Sequence, residues 1–152
     1  MIKVQVQEVI RAGPDDILDL VMDIEQYAQQ VDDKIRPVLW VRREQNRVEF
    51  ACRPRIAGLR QPKVVQFVEL TPGRRIDIGL LPKPLNRLAH AVARFEASFE
   101  CEPSAGGTLV TRTLQFTFSR VARPFVEPLF RRRLEREVVE EIQRAKRYLE
   151  SC

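Results

Sequence analysis

Residues 124–150 read PFVEPLFRRRLEREVVEEIQRAKRYLE, and this stretch decides the fold. Its apolar side chains recur every three or four residues, a spacing that places them on one face of an α-helix. This stripe consists of Phe130, Leu134, Val138, Ile142, Ala145 and Leu149. Pro124 suits the first turn, where its missing N–H is not needed. A helix of this length spans about 40 Å, so it must bury the stripe against a larger surface.

The preceding chain supplies the strands of a sheet. Residues 2–10 alternate apolar and polar, which is typical of a half-buried strand. Gly13-Pro14-Asp15-Asp16 then opens a helix, and a second short helix is predicted over 24–31. Turn signals separate six further strands, predicted at 38–42, 47–53, 63–70, 75–80, 91–101 and 108–119. The prediction is an α+β fold of order β-α-α-β6-α, in which a curved antiparallel sheet of about seven strands wraps the terminal helix.

Size and composition favour one domain over residues 1–152. Of the 152 residues, 44% are hydrophobic and 31% charged, as in ordinary globular proteins. No run approaches a membrane span, and the N-terminus has no apolar signal core, so we expect a cytoplasmic location. Three cysteines without a CxxC pair favour neither a disulfide framework nor a zinc site. We expect no metal or cofactor.

The net charge of +5 raises the question of an anionic partner. A basic run at 131–133 and scattered basic loop residues could attract phosphates. However, glutamates interleave with the arginines of the helix, as they do on a solvated face. No nucleic-acid-binding motif accompanies them. We therefore expect no nucleic-acid partner and at most a peripheral membrane contact, and the oligomeric state stays open.

Three motifs in the sequence carry a family resemblance. The first runs from Ala12-Gly13-Pro14 through Ile17, Leu20-Val21 and Asp23 to Tyr27. The others are the turn 106–111 into the last strand and the proline-headed terminal helix. Together they resemble motifs of the START-like, helix-grip superfamily, which includes the polyketide cyclase/dehydrase and lipid-transport families. The resemblance implies a helix-grip fold with a cavity between sheet and helix for a lipid-like, polyketide-like or other apolar molecule.

The sequence shows no recognisable catalytic constellation. Its one histidine, His90, falls in a long irregular stretch, and no GxSxG, HExxH or phosphate-binding glycine loop occurs. Arg112 is the exception of interest, because it occupies the apolar phase of its strand. An inward guanidinium could meet a ligand carboxylate, phenolate or enolate. It could instead pair with a glutamate, or reach solvent at the strand end.

The leading hypothesis is therefore a binding or carrier protein for an apolar small molecule. The alternatives are a polyketide cyclase/dehydratase-type enzyme, in which Arg112 stabilises an enolate, and an interaction or regulatory module. Residues 81–90 could act as a lid or as a plain connection. The predicted ligand-binding residues are Trp40, Phe50, Phe67, Ile78, Phe95, Phe99, Arg112, Leu114, Phe116, Phe130 and Leu134.

Overall fold

The computed structural model describes residues 1–82, 86, 93–120 and 123–151. Its helices are α1 (Pro14–Met22), α2 (Ile24–Gln30) and α3 (Arg123–Glu150), with a short 3₁₀ turn at Asp33–Ile35. No helix within these ranges is long and apolar enough to cross a membrane. The predicted α+β class and the long terminal helix are confirmed.

Seven strands form one antiparallel sheet. They are β1 (Ile2–Ile10), β2 (Val38–Glu44), β3 (Arg47–Cys52), β6 (Val64–Thr71), β7 (Arg75–Leu80), β8 (Ala93–Ser104) and β9 (Gly107–Phe118), while β4 (Arg55–Ile56) and β5 (Leu59–Arg60) pair separately. The order across the sheet is β1-β9-β8-β7-β6-β3-β2. Because β1 pairs with β9, the first and last strands are neighbours, and the other strands follow as a meander.

Helix α3 buries the predicted stripe. Leu134, Val138 and Ile142 have no exposed surface, and Phe130 and Ala145 are nearly as buried. The first half of α3 packs with Val4, Leu114 and Phe116, and its second half packs with residues of α1, α2 and β3. These two clusters form most of the core.

The short β4–β5 hairpin is a feature that the sequence prediction left as a plain separator. Ala57 and Gly58 form its turn, both with positive φ (51° and 75°), as a two-residue type I′ turn requires. Alanine is rarely found in that conformation, so the turn signal was weak. The hairpin rests on α3, where Glu137 Oε2 accepts the Ala57 N–H at 3.1 Å.

Two of the motifs that carry the family resemblance meet at one end of the sheet. The Thr108 hydroxyl donates to the Ala12 carbonyl at 2.7 Å, which joins the start of β9 to the segment before α1. A Cβ at Gly107 would lie 2.1 Å from the Ile10 carbonyl oxygen, so only glycine fits there. The motifs therefore fix how β1, β9 and α1 come together.

The predicted lid at 81–90 lies mostly outside the described residues, and His90 with it. Of the parts described, Leu81 is buried, and the buried Asn86 side chain bonds both backbone groups of Val65. The thiols of Cys52 and Cys101 are free and buried, as the strand pattern indicated. Burial raises the pKa of Cys52 to about 12.

Candidate functional site

An internal cavity lies on the concave side of the sheet. Its walls come from β3, β6, β7, β8 and β9, and its roof comes from α1, α2, the 3₁₀ turn and the chain around the β4–β5 hairpin. The lining residues are Val21, Ile24, Tyr27, Asp32, Lys34, Ile35, Phe50, Pro54, Ile56, Gln66, Val68, Ile78, Phe95, Arg112, Leu114 and Phe116. Its volume is about 40 Å³, enough for a water molecule or one polar head group.

The cavity is not where the sequence placed it. None of the described side chains of α3 lines it. The reason is the tight packing of Leu134, Val138 and Ile142, which lie directly against the sheet with no exposed surface. The cavity opens instead beside α3, under the α1–α2 segment.

Six of the eleven predicted ligand-binding residues line the cavity: Phe50, Ile78, Phe95, Arg112, Leu114 and Phe116. Three other predicted residues, Phe99, Phe130 and Leu134, are buried but do not line the cavity. The Phe99 ring lies 4.2 Å from the Arg112 guanidinium and packs edge-on against Tyr27. Phe130 packs edge-on against Phe116, and Leu134 lies in the same cluster.

Trp40 and Phe67 lie outside the cavity, which corrects the expectation for both. Trp40 is 43% exposed on the edge strand β2, where a register shift after Val38 changes the phase of the strand. Phe67 lies on the opposite face of β6, where its ring would be 2.8 Å from a Cβ on Gly79. Strand β6 is buried on both faces at this point, so its sequence shows no alternation that assigns a side.

Arg112 faces inward, as its phase predicted, and belongs to a buried charge cluster. We use this name for Asp32, Lys34, Arg112 and Glu141, each at most 5% exposed. Lys34 Nζ lies 2.7 Å from Glu141 Oε1 and 2.9 Å from Asp32 Oδ1. Arg112 Nε lies 3.2 Å from Glu141 Oε2, and its Nη2 lies 4.0 Å from Asp32 Oδ2. The Tyr27 hydroxyl donates to the same Glu141 oxygen.

The electrostatics distinguish the two carboxylates. Burial by itself would raise the pKa of Glu141, but Arg112 and Lys34, with hydrogen bonds from Lys34 and Tyr27, lower it to about 2. The pKa of Asp32 is raised, first by burial and then by the negative charge of Glu141. The pKa values of Lys34 and Arg112 are raised despite burial, because both carboxylates favour their charged forms. The distances between them are those of ion pairs, with Lys34 beside both carboxylates and Arg112 beside Glu141.

Arg112 is incompletely paired. Its Nη1 atom is fully buried and has no hydrogen-bond partner among the described residues. Nε lies 3.2 Å from Glu141 Oε2 and is engaged in that ion pair. Buried donors without an acceptor are costly and uncommon. This guanidinium lines the cavity, so the cavity contains unused donor capacity.

A wider depression of about 790 Å³ lies on the opposite, convex face of the sheet. It is open to solvent, and several of its charged groups are paired on the surface, as Arg75 is with Asp77 and Glu100. Exposed pairs of this kind are typical of a solvated sheet face. The inner cavity, which combines enclosure with an unpaired donor, is the stronger candidate.

Nearly the whole chain matches the sequence model of one protein family. Residues 1–150 match the model of the family described as polyketide cyclase / dehydrase and lipid transport. The chain belongs to this family. No curated protein matches it in sequence.

Solved structures agree with the family at the level of the fold. The aromatase/cyclase Zhui from Streptomyces sp. R1128 has a TM-score of 0.76 at 15% identity, over 97% of this chain and 93% of that one. A START superfamily protein from Mycobacterium smegmatis has a TM-score of 0.72 at 15% identity, over 99% of both chains. The chain spans 52% of StfQ, a di-domain aromatase/cyclase of the steffimycin biosynthetic pathway, with a TM-score of 0.71 at 13% identity. At these identities the likeness shows the fold alone: a START-like, helix-grip domain.

Sequence reasoning did not predict the residues that pair with Arg112 in this site. Glu141 was assigned to the charged faces of the helix, yet it lies seven residues after Leu134 and three after Val138, on the buried face. That spacing was a usable signal. Asp32 and Lys34 gave none, because their burial depends on how the 3₁₀ turn packs over the sheet.

The described residues contain no group of three or more histidine, cysteine, aspartate or glutamate side chains placed to hold a metal ion. The chemistry available in the cavity is therefore that of the buried charge cluster, the Tyr27 hydroxyl and the Gln66 amide. These groups can donate hydrogen bonds and orient a polar oxygen. The apolar walls around them suit a hydrocarbon or aromatic body.

Proposed function

We propose that this protein binds an apolar small molecule, lipid-like or polyketide-like, with the polar end of that molecule at Arg112. The observation that carries the proposal is the unpartnered Nη1 of Arg112, a residue that lines a cavity walled by Phe50, Phe95 and Phe116. Ligand sites combine apolar walls with a few directed polar groups. The family description, which names lipid transport, supports the same conclusion.

The bound molecule enters by displacing part of the roof. At about 40 Å³, the cavity accepts a head group but no long tail. Pro54 and Ile56 belong to the roof and line the cavity, while Arg55, Leu59 and Arg60 beside them face solvent. Movement of the β4–β5 hairpin away from the sheet therefore connects the cavity to solvent by the shortest route.

A second candidate function is that of a cyclase/dehydratase-type enzyme, and the raised pKa of Asp32 favours it. Burial and the nearby Glu141 charge raise the pKa of this carboxyl, and a raised pKa is a feature of carboxyl groups that act as general acids. However, Lys34 holds Asp32 through its backbone N–H and its ammonium group. Because this carboxylate is engaged, binding stands ahead of catalysis.

The test of binding is a titration with Nile red, an uncharged dye whose emission reports an apolar environment. We expect saturable, one-to-one binding to the folded protein. Ile78→Trp fills the cavity from β7 and should weaken binding about tenfold or more, while overpacking costs about 1–3 kcal/mol of stability. Val139→Trp, on the exposed face of α3, is the matched control and should bind like the wild type.

Equal affinity in the Ile78→Trp variant, or binding only under partly denaturing conditions, would contradict the proposal. Thermal melting of each variant separates a filled cavity from an unfolded chain. Native mass spectrometry of the purified protein then identifies any co-purified lipid by its mass.

A further inference from the structure

The positive and negative charges of the side chains around the cavity are equal in number. Asp32 and Glu141 contribute two negative charges, and Lys34 and Arg112 contribute two positive charges. All four lie within one connected network, and none is more than 5% exposed. Among the described lining residues, no other side chain carries a charge. The site is therefore neutral before any ligand arrives.

This balance decides which head groups the site accepts. A carboxylate or phosphate placed beside Arg112 would add a negative charge that no free cation offsets. An uncompensated charge in a buried site is strongly unfavourable. The Glu141 carboxylate, which lies 3.2 Å from Arg112 Nε, would also repel a second negative charge at the same guanidinium.

The same site still lacks an acceptor. Arg112 Nη1 is a buried donor without a partner among the residues that the structure describes. An uncharged oxygen satisfies such a donor and leaves the charge balance intact. A ketone, ester, amide or quinone carbonyl has this chemistry, and its small oxygen fits the available volume.

We propose that the ligand presents a neutral carbonyl-type oxygen to Arg112, and that the site discriminates against anionic head groups. The inference rests on the proposed binding function and defines its ligand class more narrowly. It replaces the expectation from sequence that Arg112 meets a carboxylate, phenolate or enolate. The structure adds three buried charged groups beside Arg112, of which the sequence had suggested only a glutamate partner.

The test compares three molecules of equal chain length: a methyl ketone, the corresponding fatty acid and the corresponding alkane. Each is titrated against the Nile red complex at a pH where the fatty acid is ionised. In the wild type, we expect the ketone to bind about tenfold or more tightly than the carboxylate, and more tightly than the alkane.

Removal of one negative charge from the cluster should raise the affinity for the carboxylate relative to the affinity for the ketone. Glu141→Gln leaves the cluster with a net positive charge, so the ratio of carboxylate to ketone affinity should rise about tenfold or more. Asp32→Asn should act in the same direction, which keeps the test decisive if one variant folds poorly. Glu140→Gln, at an exposed position next to Glu141, is the control and should leave the ratio unchanged.

The experiment distinguishes a failure of the proposed binding function from a failure of the neutral-ligand inference. If none of the three molecules displaces Nile red, the proposed binding function fails, and the inference fails with it. If the carboxylate binds the wild type as well as the ketone does, or if the ratio is the same in Glu141→Gln and Glu140→Gln, binding stands and the neutral-ligand inference is overturned.

Discussion

Arg112 is held by groups from two other parts of the fold, Glu141 of α3 and Asp32 before the 3₁₀ turn, while Phe99 covers its guanidinium. It therefore connects β9, the terminal helix and the roof of the cavity. Sequence reasoning left open a structural pair or a ligand anchor. The structure shows the ion pair, between Nε and Glu141, and Nη1 stays available for the proposed ligand.

We expect Arg112→Met to lower the free energy of unfolding by about 3–5 kcal/mol, since it leaves buried carboxylates without one of their two cations. Arg75→Met is the control: its ion pairs with Asp77 and Glu100 are partly exposed, so its loss should cost less than about 1 kcal/mol. Urea denaturation of both variants measures the difference. Equal, small losses would mean that Arg112 is not a structural ion pair.

The predictability of the site differs from residue to residue. The inward phase of Arg112 followed from strict alternation along β9, because one face of that strand is wet and the other dry. Glu141 was predictable from helical spacing but was grouped with the charged faces by residue type. Asp32 and Lys34 were not predictable, because a three-residue turn has no periodicity to show which side chain is buried.

At the scale of elements, α3 is the structural support of the sheet. Its first half contributes Phe130, Leu134 and Val138 to one core cluster, and its second half contributes Ile142 and Ala145 to the other. The helix lines none of the described cavity wall, but it positions Glu141 behind Arg112. Its role in the site is therefore to hold the charge cluster in place.

Leu134→Ala should destabilise the protein by about 2–5 kcal/mol, the range for truncation of a fully buried leucine. Leu129→Ala offers a matched control, because the same residue type lies five positions earlier on the same helix and is 79% exposed. We expect its loss to be within about 0.5 kcal/mol of zero. Similar melting temperatures for both variants would contradict the assigned packing of α3.

The elements themselves followed from the sequence wherever one face is buried and the other wet. Strands β8 and β9 and helix α3 are of this kind, and their order and type are confirmed. The predicted side-chain positions were wrong where the two faces of a strand do not differ in burial. Strand β6 is buried on both faces, so Phe67 was assigned to the wrong side, and the register shift in β2 moved Trp40 outward.

At the scale of the whole molecule, the proposed route into the cavity is the β4–β5 hairpin. The prediction of a lid at 81–90 concerned a different segment, most of it outside the described residues. The hairpin is small, and its turn is held by α3: Glu137 accepts the Ala57 N–H, and the Arg133 guanidinium lies beside Gly58. Short elements with few buried contacts open at lower free energy than the core.

Glu137→Ala removes this attachment and should ease opening of the hairpin. A hydrogen bond to a charged group is worth about 1.5–3 kcal/mol, so the open population should rise about tenfold or more. Two measurements should change together: the amide of Ala57 should exchange faster with deuterium, and Nile red should associate faster. Glu140→Ala, on the same helix with an exposed side chain, should change neither.

The combination of rates identifies the route of entry. Faster exchange at Ala57 with an unchanged rate of dye association would mean that the ligand enters by another route. Unchanged exchange would mean that Glu137 does not anchor the hairpin. If the hairpin is the gate, amide exchange at Ala57 and dye association both depend on the same opening equilibrium. The two rates should then increase by the same factor in Glu137→Ala. An unrelated loss of stability would not produce a common factor.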